Sequence, residues 1–327
     1  MVKKFLLALI LIFFASASYA LDVLNKIEVI LTSELKPVIQ SETLIITNAM
    51  HVKDEQVNAL IPLLLKFTKM ENLFLIHDAV NNPLFVFVYD SASDKAVYIS
   101  VVDNEIKYFV TENFLATSIT RNDDELKDLF QGKAMRVLPI IIGWKKGIPF
   151  ELKNSILFHD HFCPGVTSGY WIAKYLLKNF PLSQGQRYFV ISTPPWCKDD
   201  AIQTILNTTA GKRNFVVIPI SEKSKNCLKD EAKNLAGIYI KYSPQSKSGE
   251  AIILEFLWDD LRKSAGVKEG KAFKERLKMI EWMLENDNQF EKFVRVIKNV
   301  QLSNVSIDEL VDVNINVLKK FDLWKCQ

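Results

Sequence analysis

The chain has 327 residues, enough for two domains with separate cores. Hydrophobic residues make up 49% of it, which excludes a disordered polypeptide. A net charge of only +3, with no basic stripe interleaved with aromatics, argues against nucleic acid as a partner. The N-terminus reads as a secretory signal peptide over residues 1–20. Lys3 and Lys4 form the positive region, Phe5 to Ala15 the apolar run, and Ser18-Tyr19-Ala20 the cleavage site. The alternative is an uncleaved anchor, for which the apolar run is short. No later run approaches spanning length, so no membrane span is expected after cleavage, and the mature chain is expected in the periplasm or outside the cell.

Residues 21–150 read as a smaller α+β domain with an antiparallel sheet. Asp54 to Lys69 carries a helical pattern bent at Pro62. The runs Leu73–Ile76, Leu84–Tyr89, Ala96–Val102 and Ile106–Val110 are separated by turn residues, the pattern of a meander. Asn122 to Phe130 is predicted as a short helix and Arg136 to Ile142 as a strand. His51 and His77 are lone histidines and carry no chemistry that the sequence reveals. Trp144 to Pro149 has the composition of a domain boundary.

Residues 151–262 form the second predicted domain. Val166 to Phe180 reads as a helix and Arg187 to Ser192 as a strand, stopped at Thr193-Pro194-Pro195. A helix is predicted from Lys198 to Asn207, and strands over Asn214 to Ile220 and Ala236 to Tyr242. Glu250 to Ala265 reads as an amphipathic helix. Residues 263–327 are predicted as a helical extension, with two helices over Lys271 to Val300 and one over Asp308 to Phe321.

The densest chemistry lies in Phe158-His159-Asp160-His161-Phe162-Cys163-Pro164-Gly165, which holds two of the four histidines and one of the four cysteines. In an extended segment, the alternate spacing puts His159, His161 and Cys163 on one face. Pro164 suits a first helical position and makes Cys163 the cap, with its sulfur near the positive helix end. That setting favours thiolate. Burial among Phe158, Phe162 and Tyr170 would do the opposite. A second group, Cys197-x-x-Asp200, opens the next helix with both side chains on one face. Cys/His sets of this kind suit zinc or another divalent transition metal. Export keeps a disulfide between Cys163 and Cys197 as the competing reading. Of the other two cysteines, Cys227 and Cys326, a disulfide tying the tail to the core is predicted.

Phe158-His159-x-His161-x-Cys163-Pro164-Gly165, Gly169, Cys197-x-x-Asp200-Ala201-Ile202-Gln203 and Thr209-x-Gly211-Lys212-x-Asn214 together resemble the FmdE family associated with formylmethanofuran dehydrogenase, over roughly residues 155 to 245. The resemblance implies an α+β core domain, often dimeric, with a Cys/His pocket that can hold zinc. Carried over, the metal ligands are His159, His161, Cys163 and Cys197, with Asp200 nearby. The Gly-Cys-Thr step often found in the family reads Asn207-Thr208-Thr209 here, and the C-terminal zinc finger that some members carry is not expected, since Cys326 stands without a paired cysteine nearby in the sequence. The export signal separates this chain from cytoplasmic methanofuran chemistry, so the resemblance carries the pocket and not the activity.

Two function classes follow. One is a metal-dependent enzyme of unknown substrate, with Cys163 and Asp200 as its catalytic groups. The other is a non-catalytic module that carries a metal or a metal-containing cofactor. Expected partners are a second copy of the chain and a small molecule or metal cofactor.

Overall fold

The computed structural model describes residues 22–35, 38–49, 57–79, 81–102, 105–130, 132–268, 272–310 and 316–326. The predicted signal peptide and His51 lie outside them. The protein is mixed α/β with two five-stranded sheets. It divides into two compact units, residues 1–144 and 145–327.

The first unit holds helices α1 (22–34) and α2 (Val57–Leu64) and strands β1 (Thr43–Thr47), β2 (Leu73–Leu75), β3 (Leu84–Asp90), β4 (Lys95–Val102) and β5 (Glu105–Thr111). The sheet order is β2-β1-β3-β4-β5. The β3-β4-β5 part is the predicted meander, with β4 antiparallel to both neighbours. Strand β1 extends it antiparallel to β3, and β2 joins it parallel to β1. All five β1 residues are buried, so it lacks the alternation that marks a half-exposed strand. Helices α3 (Phe114–Ser118), α4 (Asp123–Asp128) and α5 (Ala134–Lys145) follow. Asn122 caps α4 through a reciprocal capping box with Glu125.

The predicted strand at Arg136 to Ile142 is helical and lies within α5. Its Val137 to Ile141 run is buried all round, and a short apolar run has the same appearance in a buried helix and a buried strand.

In the second unit, α6 (Phe150–His159) and α7 (Pro164–Asn179) lead into β6 (Arg187–Ser192), α8 (Lys198–Ile205) and β7 (Phe215–Val217). Then come α9 (Glu222–Lys225), β8 (Leu235–Ser243), β9 (Ser248–Phe256), α10 (Trp258–Ala265), α11 (Phe273–Glu285), β10 (Val294–Leu302), α12 (Ile307–Leu310) and α13 (Val317–Lys320). The sheet order is β10-β9-β8-β6-β7. Strands β6 and β7 are parallel and joined through α8, while the other pairs are antiparallel.

Three expectations for this half are corrected. Glu250 to Phe256 belongs to β9, and only Trp258–Ala265 is helical. The good helix formers Glu250, Ala251 and Leu254 are overridden by pairing on both sides, with β8 and β10. The extension is not all helical, because Val294–Leu302 is the edge strand β10. Its Val and Ile residues favour a pleated surface, and a bulge at Val296/Lys298 breaks the strict alternation. The last predicted helix is not continuous, because Asn316 is extended and caps a new helix, α13, through its side chain.

Cys227 and Cys326 form the predicted disulfide, with Cα atoms 5.1 Å apart. It anchors the last residues against the segment after α9, where Leu228 bridges to Trp324. Phe321 and Leu323 are buried in the core beside β8 and β9.

A candidate metal centre at three helix ends

Helix α6 ends at His159 because Asp160 turns into the left-handed region, at φ +73°. Four residues after Asp160 α7 begins, with Pro164 at its first position and Cys163 as its extended cap. The predicted strand through His159, His161 and Cys163 is therefore corrected. These side chains meet because the chain reverses between two helices, not because a strand alternates. The cap itself is as expected, since the Val166 N–H donates to Cys163 Sγ at 3.4 Å.

Cys197 arrives from the far side of β6, at the N-terminus of α8. Helices α6, α7 and α8 pack on one another. Two glycines of α7 permit that approach. A Cβ on Gly169 would sit 2.0 Å from the Lys198 carbonyl oxygen. A Cβ on Gly165 would sit 2.7 Å from Cys197 Cβ, and 3.3 and 3.5 Å from the sulfurs of Cys197 and Cys163. Ser155 and Thr204 hydroxyls, 2.8 Å apart, tie α6 to α8.

One ligand atom from each of His159, His161, Cys163 and Cys197 lies within 4.8 Å of every other. The set has the softness and size of a zinc site. A tetrahedral zinc at usual bond lengths would hold a sulfur and a nitrogen about 3.5 Å apart. Cys163 Sγ and His159 Nε2 are 3.6 Å apart. Both thiols are free, so the competing disulfide between them is not formed.

Asp200 is not among the four. Its carboxylate meets His159 Nδ1 at 2.6 Å, which leaves Nε2 turned toward Cys163. A carboxylate behind a ligating histidine fixes its tautomer and ring orientation. Burial pushes the His159 imidazolium down, but the hydrogen bonds to Asp200 and Cys197 outweigh it and raise its pKa to about 9.

The expected thiolate at Cys163 is corrected too. The Cys163–Cys197 hydrogen bond and then burial drive the Cys163 thiol far up. The same hydrogen bond, helped by His159 and opposed by burial, brings Cys197 down to about 4. Of the two sulfurs, the more buried keeps the proton and the one beside the imidazolium carries the charge.

A support that sequence reasoning missed lies one and two residues past Cys197. Lys198 and Asp199 are both buried and paired at 2.8 Å. Asp199 also accepts from Ser192 Oγ and from the Trp196 N–H, each at 2.7 Å. Lys198 donates to the Pro194 carbonyl at 3.1 Å. Together they hold the turn that presents Cys197. Burial lowers the Lys198 pKa, and the Asp199 carboxylate works against that fall. The sequence signal is Lys-Asp-Asp at a helix start, which reads equally well as a solvated first turn.

Residues 158–291 match the family model described as FmdE, molybdenum formylmethanofuran dehydrogenase operon. The match thus begins at the last turn of α6, takes in all of α7 and α8, and ends in the segment before β10. No curated protein matches the chain. Among the described residues no helix is long and apolar enough to cross a membrane.

Proposed function

We propose that the chain is an exported protein whose FmdE domain binds zinc, or another divalent transition metal, through His159, His161, Cys163 and Cys197. The observation that carries this reading is the convergence of four soft donors within 4.8 Å, with Asp200 behind His159. Metal content measured on the purified full chain tests it. About one equivalent is expected in the native protein and none in the Cys163→Ser/Cys197→Ser variant; equal content in both would sink the reading.

Four protein donors are enough to fill a tetrahedral zinc, and that favours a carrier or structural role for the metal. The catalytic form of the proposal requires one donor to give way to water or substrate. Asp200 would then hold the proton-bearing face of His159, and Cys163 would be the group facing the reacting atoms. X-ray absorption separates the two forms, because the enzyme needs three protein ligands and the carrier four. The catalytic form leaves the small-molecule substrate open.

Export rests on the residues 1–20 pattern and agrees with a Cys227–Cys326 disulfide, a bond suited to an oxidising compartment. N-terminal sequencing of the exported fraction should begin at Leu21. The homodimer implied by the family resemblance is part of the proposal, and sedimentation of the purified chain tests it.

A further inference from the structure

The parallel strands β6 and β7 end beside a cavity of about 560 Å³. Pro194, just past β6, and Ile220, just past β7, form part of its wall. In sheets with parallel strands, ligands bind in the crevice outside the carboxyl ends of those strands. The volume lies in the range of small-molecule sites, about 300–1,000 Å³. The metal centre is reached from the same end of β6 through Cys197, but the wall of this cavity contains none of the four donors.

The wall is cationic. Lys225, Lys233 and Lys325 contribute three ammonium groups against one carboxylate, Asp230. Asp230 is shared between Lys233 at 3.1 Å and Lys325 at 3.8 Å. Those two ammoniums hold its carboxyl below the usual range. The partner of Lys225 is Glu222, which is 86% exposed and outside the wall. Exposed pairs of this kind are worth little and exchange readily for a better anion.

The third lysine is held there by the fold. Lys325 sits beside Cys326, whose disulfide reaches back to Cys227, and its N–H donates to the Cys227 carbonyl at 2.8 Å. The Leu228–Trp324 bridge closes the same connection. The chain end is thus fastened so that its charge faces the other two.

We propose that this cavity binds a small multivalent oxyanion, a phosphate-bearing or polycarboxylate molecule, through Lys225, Lys233 and Lys325. The site is separate from the metal centre and stands whether or not the four donors hold a metal.

Calorimetric titration of the full chain at low ionic strength, with inorganic phosphate and separately with succinate, tests it. Saturable binding of at least one is expected, and which anion binds more tightly assigns the ligand class. The Lys225→Gln/Lys325→Gln variant should bind about tenfold more weakly or worse. Lys225→Arg/Lys325→Arg should retain most of the affinity. Both lysines lie at the surface, so an unchanged melting temperature is expected and separates lost binding from lost folding. Absence of saturable binding by either anion, or equal affinity in the Gln variant, would overturn the proposal.

Discussion

The Asp200 carboxylate holds His159 by Nδ1 at 2.6 Å, while His159 Nε2 lies 3.6 Å from Cys163 Sγ. One ring thus joins the first turn of α8 to the cap of α7. In the proposed metal site Asp200 would be a positioning residue, acting through His159. Asp200→Asn is expected to lower zinc affinity about 10- to 100-fold, the usual cost of losing such a support. Competition against a chromophoric chelator measures it, with circular dichroism as the control for folding. Unchanged affinity would mean that the contact serves only helix packing.

The two sulfurs should differ in reactivity in metal-free protein. A pKa depressed to about 4 keeps Cys197 as thiolate at every pH above that value. His159, raised to about 9, stays protonated beside it until the pH climbs through that value. Iodoacetamide should therefore label Cys197 about as fast at pH 6 as at pH 8. An ordinary thiol would speed up roughly 100-fold over those two units. Cys163 should label last, and bound zinc should protect both. A Cys197 profile that rises like that of a free peptide would contradict the assignment.

The buried Lys198–Asp199 pair supports the turn before α8. Asp199→Ala would leave the Lys198 ammonium buried without its carboxylate and strip the Trp196 N–H of its acceptor. The expected loss is about 3–5 kcal/mol, read as a shift in the urea midpoint. Adding Lys198→Met should recover part of that loss, since the orphan charge is then gone. A loss below about 1 kcal/mol would show that solvent reaches the pair.

The Cys227–Cys326 disulfide closes a sequence separation of 99 residues. A loop of that length is worth about 4–5 kcal/mol in the chain-entropy account. Reduction, or Cys326→Ser, is expected to lower the denaturation midpoint of the second unit by a corresponding amount. Peptide mass mapping of unreduced protein should join the Cys227 and Cys326 peptides and leave Cys163 and Cys197 alkylatable.

Much of the centre is written locally. Pro164 after Cys163 marks a helix start wherever it occurs, because proline lacks the N–H that a first turn leaves unused. Strand β6 stands where its aromatic and β-branched run, stopped by Thr193-Pro194-Pro195, puts it, and β3, β4 and β5 lie between the turns that bound them. The helical expectation fails at β9 and β10, where neighbouring strands supply the hydrogen bonds. A segment of Glu, Ala, Ile and Leu takes the conformation that its partners complete.

The identity of the donors, the starts of α7 and α8, and the cysteine pair that closes the tail are all legible in the order of residues. The helix starts depend on contacts within a few positions, while the pairing of Cys227 with Cys326, 99 residues apart, follows from cysteine chemistry. Packing in three dimensions is what ends α6 under His159, instead of letting the segment run on as a strand, and what stands Asp200 behind that ring. Packing also gives Cys197 the charge and turns three lysines from separated segments toward one cavity. Each of those outcomes depends on helix packing or chain closure across many residues, where Gly165 and Gly169 leave room for backbones to approach and burial sets which group keeps its proton.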